Sequence, residues 1–161
     1  MFVGREKELA SLNERYANHK YECAVIYGRR RVGKTEQLIK EFVKDKKHIF
    51  FSAVEGTERR NLDILSNSIY SGLSGATMVS APRFEDFAAC LEHICGHLQK
   101  EKVIFVIDEY PYFAKSEKST SSILQQYIDH RFQHLDCMLV LCGSSMSFME
   151  EQVMGYQSLI C

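Results

Sequence analysis

Apolar positions along the chain switch between two periods. From Arg5 to Ala17, Leu9, Leu12 and Tyr16 recur at helical spacing, and a continuous apolar run, Cys23-Ala-Val-Ile-Tyr27, follows. Such a run reads as a strand buried on both faces. Leu38, Ile39, Phe42 and Val43 return to the helical period and predict a helix from Lys34 to about Lys44. His48-Ile-Phe-Phe-Ser52 reads as a second strand. Leu62, Leu65, Ile69 and Leu73 mark the next helix, and the stretch from Ser71 to Pro82, rich in Ser, Gly and Ala, reads as loop. Phe84, Phe87, Ala88, Leu91, Ile94, Cys95 and Leu98 lie on one face of a strongly amphipathic helix. Val103 to Ile107 is a third strand, fully apolar and therefore central. Ile123, Leu124, Tyr127, Ile128 and Phe132 share a further helical face, and Met138-Leu-Val-Leu-Cys142 is a fourth strand. Strands alternating with helices predict an α/β fold, a parallel sheet covered by helices on both faces.

Polar residues of a particular kind follow the first and third strands. Behind the first comes Gly28-x-x-x-x-Gly33-Lys34-Thr35. Two glycines let a backbone turn tightly enough to point its amide hydrogens inward at phosphate. The helix that starts near Lys34 adds the positive end of its dipole. Lys34 is a point charge for β and γ phosphates, and Thr35 offers a hydroxyl to magnesium. The alternative is an ordinary Gly-rich turn with an exposed lysine; the strand before it and the helix after it favour the phosphate loop. The candidate nucleotide-contacting set is Gly28, Arg29, Arg30, Arg31, Val32, Gly33, Lys34, Thr35 and Glu36. Of the three adjacent arginines, at least two read as solvated, because neighbours on a tight loop point in different directions.

The third strand ends in Asp108 and Glu109. At the carboxyl end of a parallel strand, Asp108 would face the phosphate loop and hold magnesium, directly or through water. Glu109 would act as general base on the attacking water. Alone, two acids after an apolar run would read as a solvated strand end. Paired with the loop, they form a matching acidic partner. The fourth strand runs into Cys142-Gly-Ser-Ser145, small polar residues able to reach a γ phosphate and equally common in turns.

Composition narrows the picture without changing it. The 161 residues suggest one domain, with enough chain to bury a core unaided. Hydrophobic residues make up 45% and charged residues 25%, an ordinary globular balance. A net charge of −1, from 20 basic and 21 acidic residues, gives no global attraction to nucleic acid or to anionic membrane. No apolar run approaches a membrane span, and the charged start Met-Phe-Val-Gly-Arg-Glu-Lys-Glu lacks a signal peptide's core, so a cytoplasmic location is expected. Cysteines at 23, 90, 95, 137, 142 and 161 form no Cys-x-x-Cys pair and read as small buried hydrophobes rather than zinc ligands.

Together these segments resemble the archaeal-type ATPase family, in the AAA+/STAND branch of P-loop ATPases. Phe2-Val-Gly-Arg-Glu-Lys-Glu-Leu9 looks like the family's opening box near the adenine. Gly28 to Thr35 and Ile107-Asp-Glu-Tyr-Pro-Tyr-Phe113 follow in order, and Gly143-Ser-Ser-Met-Ser-Phe-Met-Glu150 looks like its sensor region. The resemblance implies ATP with Mg2+ as cofactors, a three-layer core with strand order 5-1-4-3-2, and a γ-phosphate sensor at Ser144 or Ser145, of which Ser144 is the catalytic candidate. It also implies more chain: a fifth strand, an arginine-bearing segment, a helical lid, and in many members a winged-helix region and a nuclease-like domain. Residues 1–161 are accordingly expected to be the N-terminal portion of a P-loop ATPase, lacking the fifth strand and the lid. The edge from Cys23 to Tyr27 would then stand unpaired and promote self-association.

The function expected is magnesium-dependent ATP hydrolysis coupled to conformational change. The runner-up is a nucleotide-gated switch or scaffold, set by ATP or ADP, with little turnover. Nucleic-acid binding is expected only of a full-length protein, and no membrane partner is expected. A kinase is least favoured, because no second substrate site is apparent.

Overall fold

The computed structural model describes residues 6–27, 34–74, 83–143 and 159–160. Helix α1 (Glu6–Ala17) leads into β1 (Glu22–Tyr27), then α2 (Lys34–Val43), β2 (His48–Ser52) and α3 (Glu58–Ser74). Next come α4 (Phe87–Leu98), β3 (Ile104–Asp108), α5 (Tyr110–Ser116) and α6 (Thr120–His130). A 3-10 turn at Phe132–His134 precedes β4 (Met138–Gly143), and β5 (Leu159–Ile160) completes the order. The sheet runs β2-β3-β4-β1-β5 with every pairing parallel.

The sheet divides two apolar cores, because successive side chains of a strand point to opposite faces. Ala24 and Ile26 of β1, Ile104 and Val106 of β3, and Met138, Val140 and Cys142 of β4 pack with Leu12 of α1 and with Leu38, Ile39 and Phe42 of α2. Cys23 and Val25, Phe105 and Ile107, and Leu139 and Leu141 face the other way, onto α3, α4, α5 and α6. β3 and β4 are buried almost throughout, as a central parallel strand must be. This is the three-layer α/β arrangement of P-loop proteins, and its strand order is the expected one.

Three expectations need correction. The fifth strand is present: Leu159 and Ile160 pair with Val25 and Ile26. An apolar strand as buried as β1 leaves backbone donors and acceptors that stabilise any apolar segment able to reach them. Self-association through a bare β1 edge therefore loses its premise at those two residues. The stretch from Ser71 is not loop from its start, since α3 continues to Ser74. Gly72 lies so close to the edge strand that an added Cβ would stand 2.4 Å from the His48 carbonyl oxygen. The glycine that reads as a loop signal is instead the point where helix and strand backbones meet. Finally, the fourth helix starts at Phe87 rather than near Phe84, because the carboxylate of Asp86 caps it by accepting the Ala89 N–H at 2.8 Å.

The five described cysteines, 23, 90, 95, 137 and 142, are free and buried in these cores. Burial pushes the thiols of Cys23, Cys90 and Cys137 up to about 12, so they stay protonated and behave as apolar groups. Cys161 lies outside the described residues.

Candidate functional site

The carboxyl ends of the strands lie side by side. Tyr27 of β1 is level with Gly143 of β4, Ile107 of β3 with Leu141 of β4, and Ser52 of β2 with Asp108 of β3. In a parallel sheet this is the end where loops gather chemistry, and here it brings the first and third strand ends to either side of β4. β4 itself finishes in Gly143, which puts no side chain between them.

Asp108 is the last residue of β3 and is half-buried. Its carbonyl oxygen accepts the Ala53 N–H at 3.0 Å, tying the exit of β2 to the strand. Its carboxylate Oδ1 accepts the N–H of Glu109 at 3.0 Å. Desolvation raises the carboxyl above its ordinary range, and the charges of Glu109 and Glu36 push it further the same way. Glu36 sits on the first turn of α2, exposed and paired with Lys40 at 2.8 Å. Its field at Asp108 marks the start of α2 as a neighbour of the end of β3. Burial raises the Cys142 thiol, with Asp108 and Glu109 adding to the shift, so the end of β4 lies in the same cluster of charge. Among the residues whose side chains are described, which do not include Lys34, no cation pairs with Asp108 or Glu109.

Glu109 has φ 54° and ψ 41°, the left-handed region, and no other described non-glycine residue has a positive φ. Glutamate lacks the short polar side chain that makes this region tolerable for Asn or Asp, so the conformation is held against a cost. Such residues cluster where a site needs a side chain aimed in one direction. β3 ends at Asp108 and α5 begins at Tyr110, leaving a single residue to turn the chain. Both backbone groups of Glu109 are used, its N–H by Asp108 and its carbonyl by the N–H of Tyr112 at 3.0 Å.

Lys34 is the first residue of α2, and Thr35 beside it is half-buried. Gly28, Arg29, Arg30, Arg31, Val32 and Gly33 lie outside the described residues, as do Ser144 and Ser145. What the structure brings together is thus the start of α2, the end of β3 and the end of β4. Sequence reading missed the left-handed turn and the short helix behind it. The available signal was Pro111, a residue suited to the first turn of a helix, so soon after an apolar strand.

Beyond β2, Asn61 is fully buried and fixes the loop into α3. Its amide donates to the Val54 carbonyl at 3.0 Å and its oxygen accepts the Val54 N–H at 2.9 Å. A groove of about 750 Å3 lies at the outer side of β2 and α3, lined by residues such as His48, Phe50 and Ser71, at the other end of the strand from Ser52. It contains none of the chemistry gathered at Asp108.

Residues 2–160 match the family described as an ATPase domain predominantly from Archaea. An uncharacterized protein of Methanocaldococcus jannaschii is 34% identical over 158 residues, 98% of this chain and 33% of that protein. The chain therefore spans about a third of that relative. An uncharacterized ATP-binding protein of the same organism is 49% identical over 47 residues, 29% of this chain and 78% of that protein. Among solved structures, CDC6P from Pyrobaculum aerophilum aligns over 99% of this chain and 45% of its own, at 19% identity and a TM-score of 0.59. A Walker-type ATPase of Pyrococcus abyssi aligns over 98% of this chain and 49% of its own, at 18% identity and a TM-score of 0.59. At such identities the likeness carries the fold alone.

Proposed function

Because the chain belongs to the family of ATPase domains found predominantly in Archaea, we propose that it binds ATP with magnesium at the carboxyl end of its sheet and hydrolyses it. The observation that carries this reading is Asp108. It closes a buried central strand, burial and then two neighbouring carboxylates raise its proton affinity, and among the residues whose side chains are described no cation pairs with it. A hard divalent cation is the natural complement of such a group.

The donor set fits magnesium. Thr35 offers a hydroxyl and Asp108 a carboxylate whose second oxygen is not engaged by the Glu109 N–H, both hard oxygen ligands. When bound, magnesium supplies positive charge to the β- and γ-phosphate oxygens. Lys34 adds its ammonium there, at the positive end of the α2 dipole. In this reading the backbone amides of Gly28, Arg29, Arg30, Arg31, Val32, Gly33, Lys34, Thr35 and Glu36 would be the donors to the phosphates. Glu109 would accept a proton from the attacking water, and Ser144 or Ser145 would donate a hydrogen bond to the γ-phosphate. The products are ADP and phosphate, and turnover is coupled to a change of shape.

Glu109→Gln tests this reading. The variant keeps the size of the side chain and removes the base, so ATP binding persists while turnover falls by roughly 10²–10⁴. Undiminished hydrolysis by Glu109→Gln contradicts the assignment. A wild type that binds ATP, does not turn it over, and changes assembly state between ATP and ADP selects the nucleotide-gated switch instead.

A further inference from the structure

Glu109 needs something to hold it in a conformation that glutamate disfavours, and the next residue supplies it. Tyr110 is wholly buried and is among the largest side chains of the core. Its hydroxyl lies 2.8 Å from the hydroxyl of Ser121, in the first turn of α6. One turn further on, Phe113 is also wholly buried, edge-on to Phe51 at 5.1 Å and to Phe87 at 4.8 Å. Helix α5 is thus pinned at two points one turn apart, on the face it turns to the core. β3 is pinned by its neighbours on both sides. With strand and helix both fixed, the one residue between them has no freedom left, and its backbone takes the left-handed turn.

We propose that Tyr110 is a positioning residue for Glu109. Through its hydrogen bond to Ser121 it holds α5 in the register that keeps Glu109 left-handed, and so aims the carboxylate at the carboxyl end of the sheet. This inference rests on the reading of Glu109 as the base. Ser121 is accordingly a remote control point: it belongs to α6, yet its hydroxyl reaches the residue next to the reacting carboxylate. A bond that served packing alone would stabilise α5 against α6 and leave the Glu109 backbone indifferent.

A melting experiment that needs no turnover separates the two. Glu109→Gly and Glu109→Ala both remove the carboxylate, but only glycine fits the left-handed region without strain. In the otherwise unchanged chain, Glu109→Gly melts roughly 2–4 °C above Glu109→Ala. When Ser121→Ala or Tyr110→Phe is added, that gap shrinks to about half or less, because the released helix lets residue 109 relax. Ser121→Thr, which keeps the hydroxyl, retains the full gap. A gap of the same size in all backgrounds overturns the inference.

Steady-state hydrolysis gives a second decision. Ser121→Ala, with Glu109 intact, lowers kcat by roughly three- to tenfold and leaves KM for ATP within about twofold. An unchanged kcat overturns the inference. A wild type that fails to hydrolyse ATP sinks the base assignment on which the inference rests, while the melting comparison still reports whether Tyr110 holds the turn.

Discussion

At the amino end of the sheet, Lys102 has its ammonium 2.6 Å from the carboxylate of Asp136, 2.7 Å from the Tyr16 carbonyl and 2.8 Å from the Asn18 carbonyl. It also sits 4.7 Å above the Tyr16 ring, so a side chain with little solvent of its own is held by an ion pair, two carbonyl hydrogen bonds and a ring. At the carboxyl end, Asp108 and Glu109 are neighbours, the field of Glu36 reaches Asp108 although Lys40 pairs with that glutamate, and among the residues whose side chains are described no cation pairs with Asp108 or Glu109. One end spends its charges on joining α1, β3 and β4. The other holds like charges together at the cost of stability, with a left-handed glutamate among them. Buried charge that is paired is a fastening; buried charge that is left uncompensated marks a place where something else binds.

The difference can be broken most severely at Asp108. Asp108→Ala should lower kcat for ATP hydrolysis by roughly 10²–10³, the cost of losing a preorganised electrostatic element. Asp136→Ala, at the opposite end, should leave kcat per folded molecule within about twofold. Equal losses at the two ends would erase the distinction. Next in size is the response to nucleotide with magnesium. Saturation with ATP and magnesium to about 100 times Kd should stabilise the fold by roughly 2.7 kcal/mol, seen as a melting temperature higher by about 5–10 °C, and chelation with EDTA should remove most of that gain.

Lys102→Met is expected to cost about 2 kcal/mol, since it strands the Asp136 carboxylate and two carbonyls. Chemical denaturation checks it, and ATP affinity of the folded variant should be unaltered. Asp108→Asn is the smallest effect and has the opposite sign. It keeps an acceptor for the Glu109 N–H and removes a repelled charge, so the ligand-free protein should gain up to about 1 kcal/mol. The pH dependence follows from the raised proton affinity of Asp108. The folded protein takes up this proton at higher pH than the unfolded chain. Its penalty is therefore full above the folded-state value and fades as pH falls through that value towards the ordinary carboxylate range. Asp108→Asn should flatten that slope; a slope unchanged by the substitution would place the penalty elsewhere.

Much of the carboxyl end was legible in the sequence, and little of the amino end was. Strand β1, the start of α2 and the acids after β3 each follow from local signals: an apolar run, a glycine spacing, a pair of carboxylates. The contacts of Lys102 join residues about 85 positions apart, which no periodicity announces. Gly72 was misread because a glycine signals a turn only when nothing presses against it, and here the His48 carbonyl does. β5 is two residues long, too short to show a pattern, and forms because β1 offers it a ladder. The left-handed Glu109 escaped notice because its cause lies in Tyr110, Phe113 and their partners on other elements, not in the glutamate.

The most direct test of an ATP site at this end of the sheet is calorimetric titration of ATP with magnesium into the wild type and into Lys34→Ala. Binding by the wild type, with an affinity lower by at least about tenfold when the lysine is removed, is the predicted result. No heat from the wild type, or equal affinity in both, would contradict it.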